Sequence, residues 1–293
     1  MPFTTLISAA ELQAAIASGA APVLLDARFD LADVNAGEAS WRAGHLPGAL
    51  YLHLDRDLSG AKTGRNGRHP LPTRADFAAT LGRCGIEPAT QVVAFDAQGG
   101  VYAARLWWML RWIGHEAVAV LDGGVAAWSA AGGALMTDAT DATDATDTPA
   151  AAATAAPPYP ERASRVATIG ADALGAELGR VRLLDARAGE RFRGEVEPLD
   201  PAAGHIPGAL NRFFKDNLGA DGRFKPAAQL RADFEALLGT HAAARTVHQC
   251  GSGVTACHNL LAMEHAGLTG SVLYPGSWSE WSSDPARPVA RGG

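Results

Sequence analysis

Short apolar runs alternate along this chain with stretches in which apolar residues return every three or four positions. Runs of β type lie at 23–25, 92–95 and 118–121, and again at 181–184, 246–248 and 272–274. Between them, helical spacing predicts helices over 74–82 and 103–113, and over 227–238 and 254–266. Strands alternating with helices predict an α/β fold, a mostly parallel sheet with helices on both faces. Leu106, Trp107, Leu110 and Ile113 fall on one helical stripe, which predicts core packing rather than a ligand site.

The pattern occurs twice. Leu24-Leu25-Asp26-Ala27-Arg28 returns as Leu183-Leu184-Asp185-Ala186-Arg187. Gly44-His45-Leu46-Pro47-Gly48-Ala49-Leu50 returns as Gly204-His205-Ile206-Pro207-Gly208-Ala209-Leu210. Phe77 answers to Phe234, and the step from Gly123 to Trp128 to that from Gly276 to Trp281. Two copies at so long a period predict duplicated domains rather than a solenoid. The expected boundaries are 1–136 and 161–293. Between them the Asp-Ala-Thr tract and prolines of 137–160 read as a linker, flexible early and extended near its end, in which only reach matters. His45 and His205 occur in both copies and read as structural turn residues.

Composition narrows the class. The chain has 293 residues, 47% hydrophobic and 19% charged, with a net charge of −6. That is a globular profile, and the acidic balance argues against nucleic acid or an anionic membrane as partner. The first residues lack a basic, apolar leader, and no apolar run reaches the length of a membrane span. Three cysteines, Cys84, Cys250 and Cys257, are too few and too scattered for a disulfide framework. A reducing, cytoplasmic setting is expected.

The chemistry concentrates in Thr246-Val247-His248-Gln249-Cys250-Gly251-Ser252-Gly253-Val254-Thr255-Ala256. A strand runs into a loop of small residues, and the loop into a helix. Gly251 and Gly253 let the backbone curl so that successive N–H groups face one point, where the helix dipole adds positive charge. A cysteine there is favoured as thiolate, the nucleophilic form, and an outer sulfur attached to it would be cradled by the same N–H groups. Gly251-x-Gly253-x-x-Ala256 also matches a dinucleotide-binding pattern, but no acidic residue ends the strand at 272–274. A cysteine phosphatase needs an arginine at the end of a longer loop, and Ala256 stands sixth. Cys84 and Cys257 start no glycine loop and read as structural. No Cys-x-x-Cys occurs, so no metal site is expected.

These residues resemble the tandem-domain rhodanese family, and the loop from Cys250 to Thr255 resembles its 3-mercaptopyruvate sulfurtransferase branch. The repeated Gly-His-(Leu/Ile)-Pro-Gly-Ala segment and Gly276-Ser277-Trp278-Ser279-Glu280-Trp281 share the resemblance, which covers nearly the whole chain outside the linker. It implies catalysis through a persulfide on Cys250, with Gly251, Gly253, Val254 and Thr255 lining the site. It implies an Asp55–His69–Ser252 proton relay, at an interface between the domains. Arg191 would bind the donor's carboxylate. A second arginine is expected where this chain has Leu199, and Arg187 or Arg193 would compensate. The first copy carries Asp96 at the cysteine's place and is expected to be non-catalytic. The donor would be 3-mercaptopyruvate or, alternatively, thiosulfate, and the acceptor cyanide or a thiol such as thioredoxin, with no cofactor. A non-enzymatic rhodanese-like binding module is the remaining reading.

Overall fold

The computed structural model describes residues 2–137 and 157–293. Two units emerge, and their make-up departs from the expected boundaries: Met1–Leu58 with Pro72–Arg165, and Ser59–Leu71 with Val166–Gly293.

The first unit runs β1 (Leu6–Ile7), α1 (Ala9–Ala17), β2 (Val23–Asp26), α2 (Ala36–Ala43), β3 (Leu50–Tyr51), α3 (Arg74–Arg83), β4 (Val92–Phe95), α4 (Ala103–Trp112), β5 (Val118–Leu121) and α5 (Gly124–Ala130). Its five strands are all parallel, in the order β1-β5-β4-β2-β3. Every residue of β4 and β5 is buried, as strands covered on both faces require. Helix starts follow local chemistry. Ser8 accepts the N–H of Glu11 while Glu11 accepts that of Ser8, a capping box on α1. Thr73 caps α3 through the N–H of Asp76. Leu106, Trp107, Leu110 and Ile113 are all buried, as their spacing predicts.

The second unit repeats the plan with β6 (Ala167–Thr168), α6 (Ala171–Glu177), β7 (Arg182–Asp185), α7 (Gly189–Arg193), β8 (Leu210–Asn211), α8 (Ala227–Leu238), β9 (Thr246–Gln249), α9 (Ala256–His265), β10 (Val272–Leu273) and α10 (Ser277–Trp281). The order β6-β10-β9-β7-β8 is that of the first unit, again all parallel. The order of the strands reverses between β7 and β9, and the carboxyl ends of strands at such a switch point are the usual ligand position in sheets of this kind.

Both Gly-His-(Leu/Ile)-Pro-Gly segments are tied into their own units through the histidine. His45 Nδ1 pairs with Trp41 C=O and His205 Nδ1 with Phe192 C=O, each at 2.8 Å. Each ring stacks on that aromatic neighbour. The two backbones form matching antiparallel bridges, to Met136 and to Ala290.

Two segments lie differently from the sequence reading. Most of the expected linker, 138–156, falls outside the described residues. Its end is not a mere spacer: Tyr159 is buried, its N–H donates to Ala78 C=O at 2.9 Å, and its hydroxyl meets His115 Nδ1 at 3.1 Å. Pro157 lies so near α3 that a Cβ on Gly82 would come within 2.3 Å of its carbonyl oxygen. The second difference is Ser59–Leu71, early in sequence yet part of the second unit. Gly60 N–H donates to Pro70 C=O, closing the segment's ends. Arg68 N–H donates to Ser279 Oγ, and a Cβ on Gly67 would stand 2.8 Å from Gly276 O.

Candidate active site

Cys250 follows the last residue of β9 and is buried. Its backbone is fixed from both sides. Its N–H donates to Ser277 Oγ at 3.1 Å, and its C=O accepts from Trp278 N–H at 2.9 Å. Gly251 C=O accepts from Ser279 N–H, also at 2.9 Å. The Ser277 hydroxyl in turn donates to Tyr274 C=O at 3.0 Å. It has φ +53, the one non-glycine residue with positive φ among those described, a conformation of the kind that collects at functional sites. Gly253 has φ +76, and a Cβ there would lie 2.3 Å from Pro275 O, so no other residue fits. Val254 is buried, Thr255 is half-buried at the N-cap of α9, and the loop curls beneath that helix's N-terminus.

His69 enters this site with its own unit. Its Nδ1 lies 2.8 Å from Ser252 Oγ, and both side chains are buried. The two residues are distant in sequence, and the closed segment Ser59–Leu71 brings them together. Asp55 belongs to the first unit, in the turn after β3, where its N–H donates to His53 Nδ1. Cys250, Ser252, Ser277, His69 and Arg191 all lie in the second unit.

The arginines divide by task. Arg187, expected as a substrate ligand, is held elsewhere. It forks onto Asp185, donates to Gly204 C=O at 2.7 Å, approaches Glu197 and lies over the Trp278 ring. The first copy repeats this with Arg28, Asp26 and Gly44 C=O, so the pair is part of the fold. Arg193 pairs with exposed Glu195, away from any compensating role. Arg191 stands at Cys250's loop: its Nη1 lies 3.5 Å from the point a Cβ on Gly251 would occupy. Glu197 and Asp200 hold its Nη2 at 2.7 and 3.2 Å. Asp200 also pairs with Arg68, and burial pushes its carboxyl upward despite these cations. Leu199 is exposed, and it meets these groups only through its backbone N–H, which donates to Glu197 Oε1 at 3.1 Å.

The rhodanese-like domain model matches residues 8–131 and 171–284, both copies of the repeat. The chain belongs to the rhodanese family. It is 47% identical over 274 residues to a Pseudomonas aeruginosa protein named "Probable 3-mercaptopyruvate sulfurtransferase", covering 92% of each chain. It is 42% identical over 290 residues to a Mycobacterium tuberculosis protein named as a thiosulfate sulfurtransferase, covering 98% of this chain and 97% of that one. The solved structure of 3-mercaptopyruvate sulfurtransferase from Leishmania major superposes with a TM-score of 0.80 at 27% identity, over 95% of this chain and 74% of that one.

In the first rhodanese unit Asp96 follows β4 as Cys250 follows β9. Its buried carboxylate accepts four N–H groups: Gln98 and Gly100 at 2.8 and 2.9 Å on one oxygen, Tyr102 and Ala103 at 2.8 and 3.1 Å on the other. This copy of the rhodanese loop is an anion cradle filled by its own side chain. The structure brings Cys250, Ser252, His69 and Arg191, all named from the sequence, to one loop, together with Ser277, Glu197, Asp200 and Arg68, which the sequence reading did not name. The adjacency of Arg68 to His69 was the available signal for the last.

Proposed function

We propose that the protein moves sulfane sulfur from 3-mercaptopyruvate, through a persulfide on Cys250, to cyanide or a thiol acceptor, releasing pyruvate. It is an enzyme of the tandem-rhodanese sulfurtransferase type, as its relatives' names support. The observation that carries the donor reading is the His69–Ser252 contact at 2.8 Å in a loop whose residues 251–253 bear no charge. The Cys250 thiolate attacks the donor sulfur. The C–S bond breaks with its electron pair going to carbon, giving pyruvate enolate. The donor's thiol proton passes by way of Ser252 and His69 to that carbon, so the net products are Cys250 persulfide and pyruvate. Sulfite, the leaving group from thiosulfate, needs no such proton. Arg191 holds the donor's carboxylate, and an arginine fork suits that planar group. The acceptor step then strips the outer sulfur, a ping-pong course. The three scattered cysteines support a reducing, cytoplasmic setting, in which a thiol protein such as thioredoxin would serve as acceptor. No described helix is long and apolar enough to cross a membrane.

Thiosulfate is the second reading, favoured by the name of the 42% identical relative. Side-by-side kinetics with cyanide as acceptor decide it. We expect kcat/KM for 3-mercaptopyruvate to exceed that for thiosulfate at least about 10-fold, since each charge-assisted contact is worth roughly that much or more. His69→Ala should lower kcat with 3-mercaptopyruvate about 10²-fold. An equal or higher kcat/KM for thiosulfate would overturn the donor assignment.

A further inference from the structure

The resemblance asks for two arginines on the donor's carboxylate, and Leu199 takes the place of one. We infer that Arg68, from the early segment folded into the second unit, is the second arm of that clamp, opposite Arg191. The inference rests on the sulfur-transfer reading above.

Both guanidinium groups border one small space over Gly251, beside the nucleophile. The point a Cβ on Gly251 would occupy lies 2.8 Å from Arg68 Nη2 and 3.5 and 3.8 Å from Arg191 Nη1 and Nη2. The absence of a Cβ on Gly251 therefore leaves a narrow gap where two forks of N–H donors close on the loop, and a Cβ there would crowd Arg68 Nη2. The forks are set by anions behind them: Asp200 receives Arg68 through Nη1 and Arg191 through Nη2, and Glu197 receives Arg191 as well. Asp200 and Glu197 side chains are 2% and 4% exposed, so these carboxylates are fixed parts of the wall. They turn Nη2 of Arg68 and Nη1 of Arg191 toward the gap. Arg68 is itself located by its backbone N–H on Ser279 Oγ, one residue before the histidine that touches Ser252. The carboxylate of 3-mercaptopyruvate lies three bonds from the sulfur that Cys250 attacks, the reach from residue 250 to a space over residue 251.

A plain structural role competes, in which Arg68 only neutralises Asp200. A double-mutant cycle separates the two. We expect Arg68→Ala to raise KM for 3-mercaptopyruvate about 10- to 100-fold, with a smaller change in kcat, and Arg68→Lys to recover part of the loss. Arg68→Ala combined with Asp200→Asn removes both the arm and the carboxylate it would leave unpaired. A clamp predicts that KM in this double variant stays at least about 10-fold raised. A return to the wild-type KM makes Arg68 a counter-ion and overturns the clamp, as does an unchanged KM in Arg68→Ala. Intact mass of the wild type after incubation with 3-mercaptopyruvate checks the reading beneath: no added sulfur overturns that reading and the clamp with it. A wild type that loads sulfur while its variants keep its KM overturns the clamp alone.

Discussion

The two units place one loop in two states. After β4 the loop closes on Asp96, whose carboxylate takes up four N–H groups. After β9 the same position holds Cys250, whose side chain ends one atom short of that reach. An aspartate oxygen lies two bonds from Cβ, and so does the outer sulfur of a cysteine persulfide. The first unit thus displays with a permanent carboxylate what the second is proposed to do with a transient sulfur anion. The turn behind each loop differs in step. Where the first unit has Gly124 at φ +55, a Cβ would strike Asp96 O at 2.1 Å. The second has Ser277, whose hydroxyl holds the N–H of Cys250. A self-filled loop needs only close packing behind it, whereas a reacting residue also gains from a fixed backbone.

Exchanging the key residues tests this contrast most severely. Cys250→Ser should gain no sulfur by intact mass and show no turnover. Adding Asp96→Cys to it should restore nothing, because Ala32 stands in the first unit at the repeat position of Arg191. Sulfur on the double variant would mean that the loop alone suffices. Next in size is the carboxylate itself: Asp96→Ala should cost at least about 3 kcal/mol in urea unfolding, since it strips a charged acceptor from four buried donors. A loss under about 1 kcal/mol would deny the cradle its strength. The smallest effect concerns acid. His248 lies wholly buried in β9, with Nε2 at Met263 Sδ and Nδ1 unpartnered, and burial pushes its pKa down to about 3. Its counterpart in β4 is Ala94. Below about pH 6.5 the unfolded chain takes up a proton that folded His248 refuses. Stability is therefore full above that pH and falls as pH drops toward 3, by about 1.4 kcal/mol per unit. His115, lowered by burial in the first unit, adds with the same sign. Urea midpoints from pH 7 to 4 should show a slope that His248→Leu reduces by one proton.

The interior strands and long helices were legible because each buries a full run or stripe. The strands at 92–95 and 118–121 and the helix at 227–238 lie where their patterns place them. Edge strands of two residues, such as Leu6–Ile7 and Leu210–Asn211, carry no period to detect. The loop after β9 was legible because glycine spacing, a cysteine and a following helix are local facts. Arg68 and Asp200 were not, since their meaning depends on a segment that contacts residues far along the chain. Arg187 misled for the opposite reason: a cation near the site in sequence was already committed to Asp185.

The placement of Met136 and Tyr159 has a practical corollary. Met136 is bridged to His45, Tyr159 is tied to Ala78, and Arg165 N–H donates to Arg111 C=O, all within the first unit. The Asp-Ala-Thr tract therefore leaves and re-enters the same body. A cut between residues 137 and 157 would leave two fragments of one fold, rather than release a working half. Because closing a loop costs only about 0.6 kcal/mol more for each doubling of its length, the tract is the natural place to graft an affinity tag or fluorescent reporter. A graft at residues 59–71 would instead disturb the segment that brings His69 to Ser252.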